Sequence, residues 1–306
     1  MRRRNFVIWL AAGALLIGCR EAEVTPTPGA GSATTPTAEP TVAPTPTVEP
    51  TPASTTSVGT PEVTATPGRA TLVAVYFLRG EKLAVVRRPI PETPLVGTAA
   101  LLELLAGPTP REEEWGFRTE IPVGTELREL TIADGVATVD LSSDFASGGG
   151  SFSMRARVAQ VVFTLTQFPT VQAVRFRLDG QPVPAIGGEG VIVEPPPGRD
   201  EFEDLLPLIF PEAPGPGETV RSPLRVTGTA NTFEAMFMVR LSTADGSVLY
   251  EQPAMATSGS GTRGSFDVTI AFSVPQPTDG MLRLWEYSAK DGSEINVVEI
   301  PLRLEP

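Results

Sequence analysis

The chain has 306 residues, with 24 Lys and Arg against 36 Asp and Glu, a formal charge of −12, no histidine and a single cysteine, Cys19. Without histidine there is no Ser-His-Asp or Cys-His nucleophile system, no His-ligated metal and no imidazole proton shuttle, and one cysteine makes no internal disulfide. An acidic chain is repelled by nucleic acid and by anionic head groups, so no nucleic-acid partner is expected, and no cofactor or metal is expected either.

Residues 1–19 read as a lipoprotein signal peptide. Arg2, Arg3 and Arg4 are a basic start, Phe6 to Ile17 is an apolar run too short to span a bilayer comfortably, and Leu16-Ile17-Gly18-Cys19 is the bacterial lipobox arrangement. In such a leader the Cys19 thiol takes a diacylglyceryl group and becomes the new N-terminus. Losing the leader removes three of the 24 cations and leaves a charge of −15. Paired acyl chains anchor durably where one does not. The expected location is therefore extracytoplasmic, lipid-anchored to the bacterial cell membrane.

Residues 20–69, with TPTP, TAEPTVAPTPTVEPTP and TPEVTATP, hold almost no large apolar side chains to offset their chain entropy and are expected to form a disordered stalk. Its length is about 150 Å if polyproline-like and about 40 Å as a coil. Folded texture begins at Ala70. Thr71–Leu78 reads as a buried strand, with Lys82–Arg87 pairing across Arg79-Gly80-Glu81. Thr98–Ala106 sets Leu101, Leu104 and Leu105 on one helical face and stops at Gly107-Pro108. Leu127–Ile132 and Val136–Leu141 flank the hairpin signal Asp134-Gly135. Ser153 can cap a helix carrying Met154, Val158, Val161, Val162, Leu165 and Phe168. Val171–Leu178 adds a strand and Gly190–Val193 a short edge strand.

This order predicts an α+β two-layer domain, β-α-β-β-α-β, with a mixed sheet and both helices on one face, over residues 70–197. After a linker at 198–218, seven strand-like segments occupy 219–306: Thr219-Val220, Leu224–Thr229, Ala235–Ser242, Ser247–Gln252, Ser265–Phe272, Met281–Ser288 and Val297–Leu304. Turn signals separate them and no helix pattern intervenes, so an immunoglobulin-like β-sandwich is expected, with Trp285 a candidate core aromatic.

The strings VYFLRGEKLAVVRRPIP, TAALLELLAGPTPREE, ADGVATVDLSSDF and RVAQVVFTLTQFPTVQAVRFRLDGQPV resemble the GerMN domain of bacterial sporulation and germination lipoproteins. The strings SPLRVTGTANTFEAMFMVRLSTADG, GTRGSFDVTIAF and LRLWEYSAKDGSEINVVEIPL resemble the Gmad2 module, an immunoglobulin-like domain. The resemblance implies a non-enzymatic envelope binding or scaffold protein, in sporulation or spore germination, working in multiprotein assemblies.

Several residue groups bear on chemistry. Glu112, Glu113 and Glu114, and Asp140 with Asp144, are the candidates for a two-acid glycoside hydrolase, but both groups read as surface or structural carboxylates. Asp291-Gly292-Ser293-Glu294 reads as a turn rather than a calcium loop, and Gly148-Gly149-Gly150 as a flexible connection rather than an anion cradle. Two surfaces are candidate interfaces. Trp115, Phe117 and Arg118 either anchor a partner or cover the sheet edge; Phe233 and Glu234 lie between strands, where Phe233 either plugs the open end of the sandwich, the favoured reading, or faces a partner. Envelope proteins are the expected partners. Peptidoglycan or another carbohydrate is the alternative, bound through sandwich loops and aromatics such as Trp115 and Trp285.

Overall fold

The computed structural model describes residues 70–188 and 190–306. The leader, Cys19 and the Thr/Pro tract lie outside the described residues.

The α+β class holds, and its strands divide into separate ladders. β1 (Ala70–Arg79) and β2 (Lys82–Pro91) form a hairpin, followed by α1 (Val96–Leu105), the short α2 (Pro110–Glu114) and β3 (Phe117–Arg118). Next come the hairpin β4 (Leu127–Ala133) and β5 (Val136–Leu141), then α3 (Ser151–Leu165), β6 (Ala173–Leu178) and β7 (Gln181–Pro182). One sheet has the order β2-β1-β3; the other is β4-β5-β6-β7, with β5 and β6 parallel. The expected edge strand near 190–193 joins neither. Instead β8 (Ala185–Ile186) pairs with β9 (Val191–Ile192) in a ladder of their own.

What divides the sheets is a polar stripe on α3. β3 pairs with β1 only at Leu78 and Arg79, which leaves the backbone of Ala74 and Tyr76 open on that side. Gln160, Thr164 and Gln167 stand at i, i+4 and i+7, one face of a helix. The Gln160 amide donates to the Tyr76 carbonyl at 3.1 Å, the Tyr76 N–H donates to Thr164 Oγ1 at 3.3 Å, and Gln167 closes both backbone groups of Ala74 at 2.8 and 2.7 Å. Buried backbone groups cost free energy unless paired, so these side chains do the work of a neighbouring strand. The apolar positions Val158, Val161, Val162 and Leu165 complete the burial of α3 in the core. Its N-cap is Gly150, three residues before the expected Ser153, whose hydroxyl is occupied by Arg157 at 2.7 Å.

The segment expected as a linker is folded. A 3-10 turn at Asp200–Leu205 leads into β10 (Ile209–Ala213), the outer strand of the sheet β10-β12-β15. That sheet includes β12 (Leu224–Ala230) and β15 (Gly264–Ile270). The facing sheet, in the order β11-β17-β16-β13-β14, contains β11 (Thr219–Val220), β13 (Met236–Thr243), β14 (Val248–Met255), β16 (Thr278–Tyr287) and β17 (Glu294–Leu304). All seven expected strands are present, and β10 is an eighth. Its Pro211 and the flanking Pro207 and Pro214 argue against a strand on propensity, yet an edge position tolerates proline. Gly228 allows the close approach: a Cβ there would lie 2.2 Å from the Phe210 carbonyl oxygen.

Alternation along β10 joins the two domains. Ile209 belongs to the sandwich core, while Phe210 packs in the α+β core. Phe210 meets Tyr76 and Phe163 with ring centroids 6.1 and 6.2 Å apart. Beside them the Tyr76 hydroxyl donates to Glu212, and Arg199 donates to Glu212 at 2.8 Å, to Tyr76 at 3.1 Å and to Thr166 at 2.9 Å. Burial and the Glu212 carboxylate push the Tyr76 phenol well above its ordinary value, so it stays protonated. Arg155 of α3 pairs with Asp204, 2.5 Å apart, and holds the 3-10 turn onto the α+β domain.

Phe210→Ala is expected to cost about 3–5 kcal/mol and to lower the melting of both domains together, seen as one shifted calorimetric transition. Hydrogen bonding from Arg155 holds the Asp204 carboxyl below the usual range. Its stabilisation is therefore present above about pH 4 and is lost as pH falls through the depressed folded value. The acid loss of melting temperature should be smaller in Asp204→Asn than in the parent.

Candidate functional site

The first candidate surface is mostly packing. Thr109 begins α2 with a reciprocal capping box: Glu112 N–H donates to the Thr109 hydroxyl at 3.3 Å, and Thr109 N–H donates to the Glu112 carboxylate at 2.7 Å. Glu112 is buried, not solvated as expected, and also holds Arg88, which donates to the Gly107 carbonyl at 2.8 Å. The pair matters because removing one partner strands a buried charge. Glu113 and Glu114 are exposed. Phe117 is 4% exposed in the α+β core and so is a core residue rather than a surface anchor. Trp115 is half-buried, with Arg111 over its ring at 5.0 Å and Gly217 against it, where a Cβ would sit 2.7 Å from the ring. Arg118 alone of the three is exposed.

The other acidic and glycine motifs also resolve into structure. Asp140 accepts from the Gly180 N–H at 3.0 Å, and Asp144 from the Ser142 hydroxyl at 3.2 Å. Asp291 accepts from the N–H and hydroxyl of Ser293, which makes a local turn. The loop through Gly148 to Gly150 turns carbonyls inward onto buried Arg157: its guanidinium donates to Phe145 at 2.7 Å, Ser147 at 2.9 Å and Gly148 at 3.3 Å. That polarity suits a cation, the reverse of an anion cradle. Among the described residues, no group of three or more Cys, Asp or Glu is placed to hold a metal ion.

A groove of about 590 Å³ runs between the domains, walled by Leu83, Val85, Pro211, Pro214, Val298 and Ile300, with Arg79, Lys82 and Arg283 at its edges. Arg79 spans it to the Glu299 carbonyl at 2.9 Å, and Lys82 reaches the Asp204 carbonyl at 2.6 Å. Arg79 thus bridges to the sandwich, while Lys82 holds the 3-10 turn that packs in the α+β core.

The second candidate surface differs from the favoured expectation. Phe233 does not plug the sandwich; it is 68% exposed. The cause is local backbone. Glu234 and Ala235 are consecutive non-glycine residues with φ of 52° and 60°, the left-handed region, and they turn Phe233 outward. Trp285 is fully buried, as expected, but on the outer face of its sheet. It lies opposite Met238 and alternates with the inward Leu282 and Leu284. Arg240 and Arg283 cover its ring at 4.9 and 5.6 Å, and they pair with Glu251 at 2.6 Å and Glu294 at 2.8 Å. Buried Trp285 offers no open ring face on which a sugar could stack, and Arg111 lies over the Trp115 ring. Sequence reasoning missed the positive φ pair, since Glu-Ala carries no turn signal.

The fold defines a two-domain protein, an α+β unit fused to an immunoglobulin-like sandwich. Residues 74–184 match the family model Germane, described as sporulation and spore germination, and residues 209–293 match Gmad2, the immunoglobulin-like domain of bacterial spore germination. The chain therefore carries two domains associated with sporulation and spore germination. Among solved structures, the first GerMN domain of the sporulation protein GerM from Bacillus subtilis is 25% identical, covering 42% of this chain and 98% of its own, with a TM-score of 0.38. The tandem GerMN domains of the same protein are 16% identical over 68% of this chain and 64% of theirs, TM-score 0.38. A chain described as a lipoprotein of Clostridium perfringens is 20% identical over 45% and 93%, TM-score 0.33. A search of curated proteins gives no match.

Trp115→Ala should lower stability by about 2 kcal/mol by emptying the contact with Gly217, whereas Arg118→Ala should stay within about 0.5 kcal/mol; chemical denaturation of the two variants checks both.

Proposed function

We propose that this protein is a non-enzymatic, lipid-anchored component of the bacterial cell envelope that acts by binding other envelope proteins, in a process of the sporulation and germination type. The observation that carries the reading is the presented Phe233: an aromatic held in solvent by strained backbone, on a pair of domains whose families are associated with spore germination. Burying Phe233 would contribute about 2–3 kcal/mol, so leaving it out lowers stability without any return inside the chain. Binding elsewhere supplies one. The leader and Cys19 read from the sequence supply the anchor in this reading. In this reading the lipid on Cys19 attaches the protein; no helix among the described residues is long and apolar enough to cross a membrane.

The reading is tested in native envelopes. Mass spectrometry of the mature protein should find an acylated Cys19, and Cys19→Ala should move the protein from the membrane to the soluble fraction. Crosslinking should recover reproducible protein partners; an unmodified Cys19 with the leader intact, or no partner, overturns it.

A further inference from the structure

We propose that the end of the sandwich around Phe233 docks a cationic amphipathic protein segment, one that sets Lys or Arg beside apolar side chains. The proposal rests on the binding role above and names the chemistry of the partner at this surface. Phe233, Met255 and Tyr287 are 68%, 64% and 51% exposed. They form a patch rather than scattered positions. Met236 and Met255 are cross-strand partners on β13 and β14, Met238 lies opposite Pro253 on one side and Trp285 on the other, and Phe233, Met236 and Tyr287 line a hollow of about 200 Å³. Methionine suits such a surface because its flexible, polarisable side chain adapts to a partner.

The backbone holds this arrangement at a cost. Each left-handed non-glycine residue costs about 1–2 kcal/mol, and Glu234 and Ala235 are adjacent. The surroundings over-determine the turn. Ala256 N–H donates to the Ala235 carbonyl and Ser260 N–H to the Thr232 carbonyl, both at 2.9 Å, and Gly259 packs so closely that a Cβ would lie 2.4 Å from the Ala235 nitrogen. Strain of this kind persists where its surroundings impose it, and it marks functional surfaces.

Charge selects the partner. On the same sheet face, Glu251, Glu294 and Glu299 are each ion-paired, the first with Arg240 and the other two with Arg283. At the patch, exposed Glu234 and half-buried Glu286 make no ion pair among the described residues. Glu286 only accepts from the Phe233 N–H at 3.3 Å and from the Asn296 amide. The rim is therefore negative in a chain of charge −12, which attracts a cationic segment and repels an anionic lipid surface. Strand addition is disfavoured, because the outer strand β14 carries Pro253. The fit is to side chains, as when an amphipathic helix lays its apolar face on a groove.

The test uses the mature chain as its Cys19→Ser form and three labelled 18-residue peptides: Leu/Lys amphipathic, Leu/Glu with the same apolar pattern, and Ser/Lys. Fluorescence anisotropy should show binding of the Leu/Lys peptide only. Phe233→Ala with Tyr287→Ala should weaken it at least tenfold and Glu234→Gln about threefold, while Glu81→Gln with Glu92→Gln, remote carboxylates of the first domain, should leave it unchanged. These side chains are exposed, so melting temperatures should hold. Equal affinity in the Phe233/Tyr287 variant, binding of the Leu/Glu peptide, or a dimer in light scattering that Phe233→Ala abolishes would overturn the proposal. Envelope crosslinks that map to a different surface would overturn it while leaving the binding role standing. Peptide binding with no envelope partner would do the reverse.

Discussion

One strand decides the architecture. β10 sends Ile209 into the sandwich and Phe210 into the α+β domain, so a two-residue alternation, the ordinary consequence of a pleated backbone, ties two cores together. The aromatic triangle of Tyr76, Phe163 and Phe210 is closed on its polar side by Arg199 and Glu212, which satisfy the Tyr76 hydroxyl in the interior. Domain pairs in one chain usually meet through modest, polar surfaces and move. Here a shared strand and buried rings replace such a surface, and the Arg79 contact to Glu299 lies beside them.

Inside the α+β domain the corresponding device is the stripe Gln160, Thr164 and Gln167. A helix normally presents apolar side chains to a sheet; here it also presents donors and acceptors to the open edge of β1. The gain is that two ladders of different orientation can share one core without an orphaned backbone group between them. The buried Arg88–Glu112 and Arg157 networks follow the same logic. Each brings a charge into the interior, and each surrounds it with carbonyls or a carboxylate that define one geometry.

The sandwich spends its stability differently. Its outer face is ordered by a charge ladder above Trp285, whose indole N–H is buried without a partner among the described residues. At the end of that ladder the pairing stops, and the backbone bends into left-handed geometry to present Phe233. A surface that is neutralised along most of its length and left apolar and negative at one end has a direction, and the domain junction sets where that direction points.

Period and composition already define much of this protein. The alternation of the sandwich strands, the apolar face of α3, the turn signals at Asp134-Gly135 and Asp245-Gly246, the two-domain order, and the family strings are all local patterns, and local patterns survive in a linear reading. β10 was not legible because proline lowers strand propensity, and only the partner β12 shows that this is an edge. Nor were Glu112, Arg157 and Gln160, since polar residues read as solvated unless a distant group is known to meet them. The exposure of Phe233 depends on two φ angles imposed by Gly259 and Ala256, about twenty residues away. Which elements exist follows from neighbours along the chain; which polar groups are buried, and which aromatic faces water, is decided only when distant backbone closes around them.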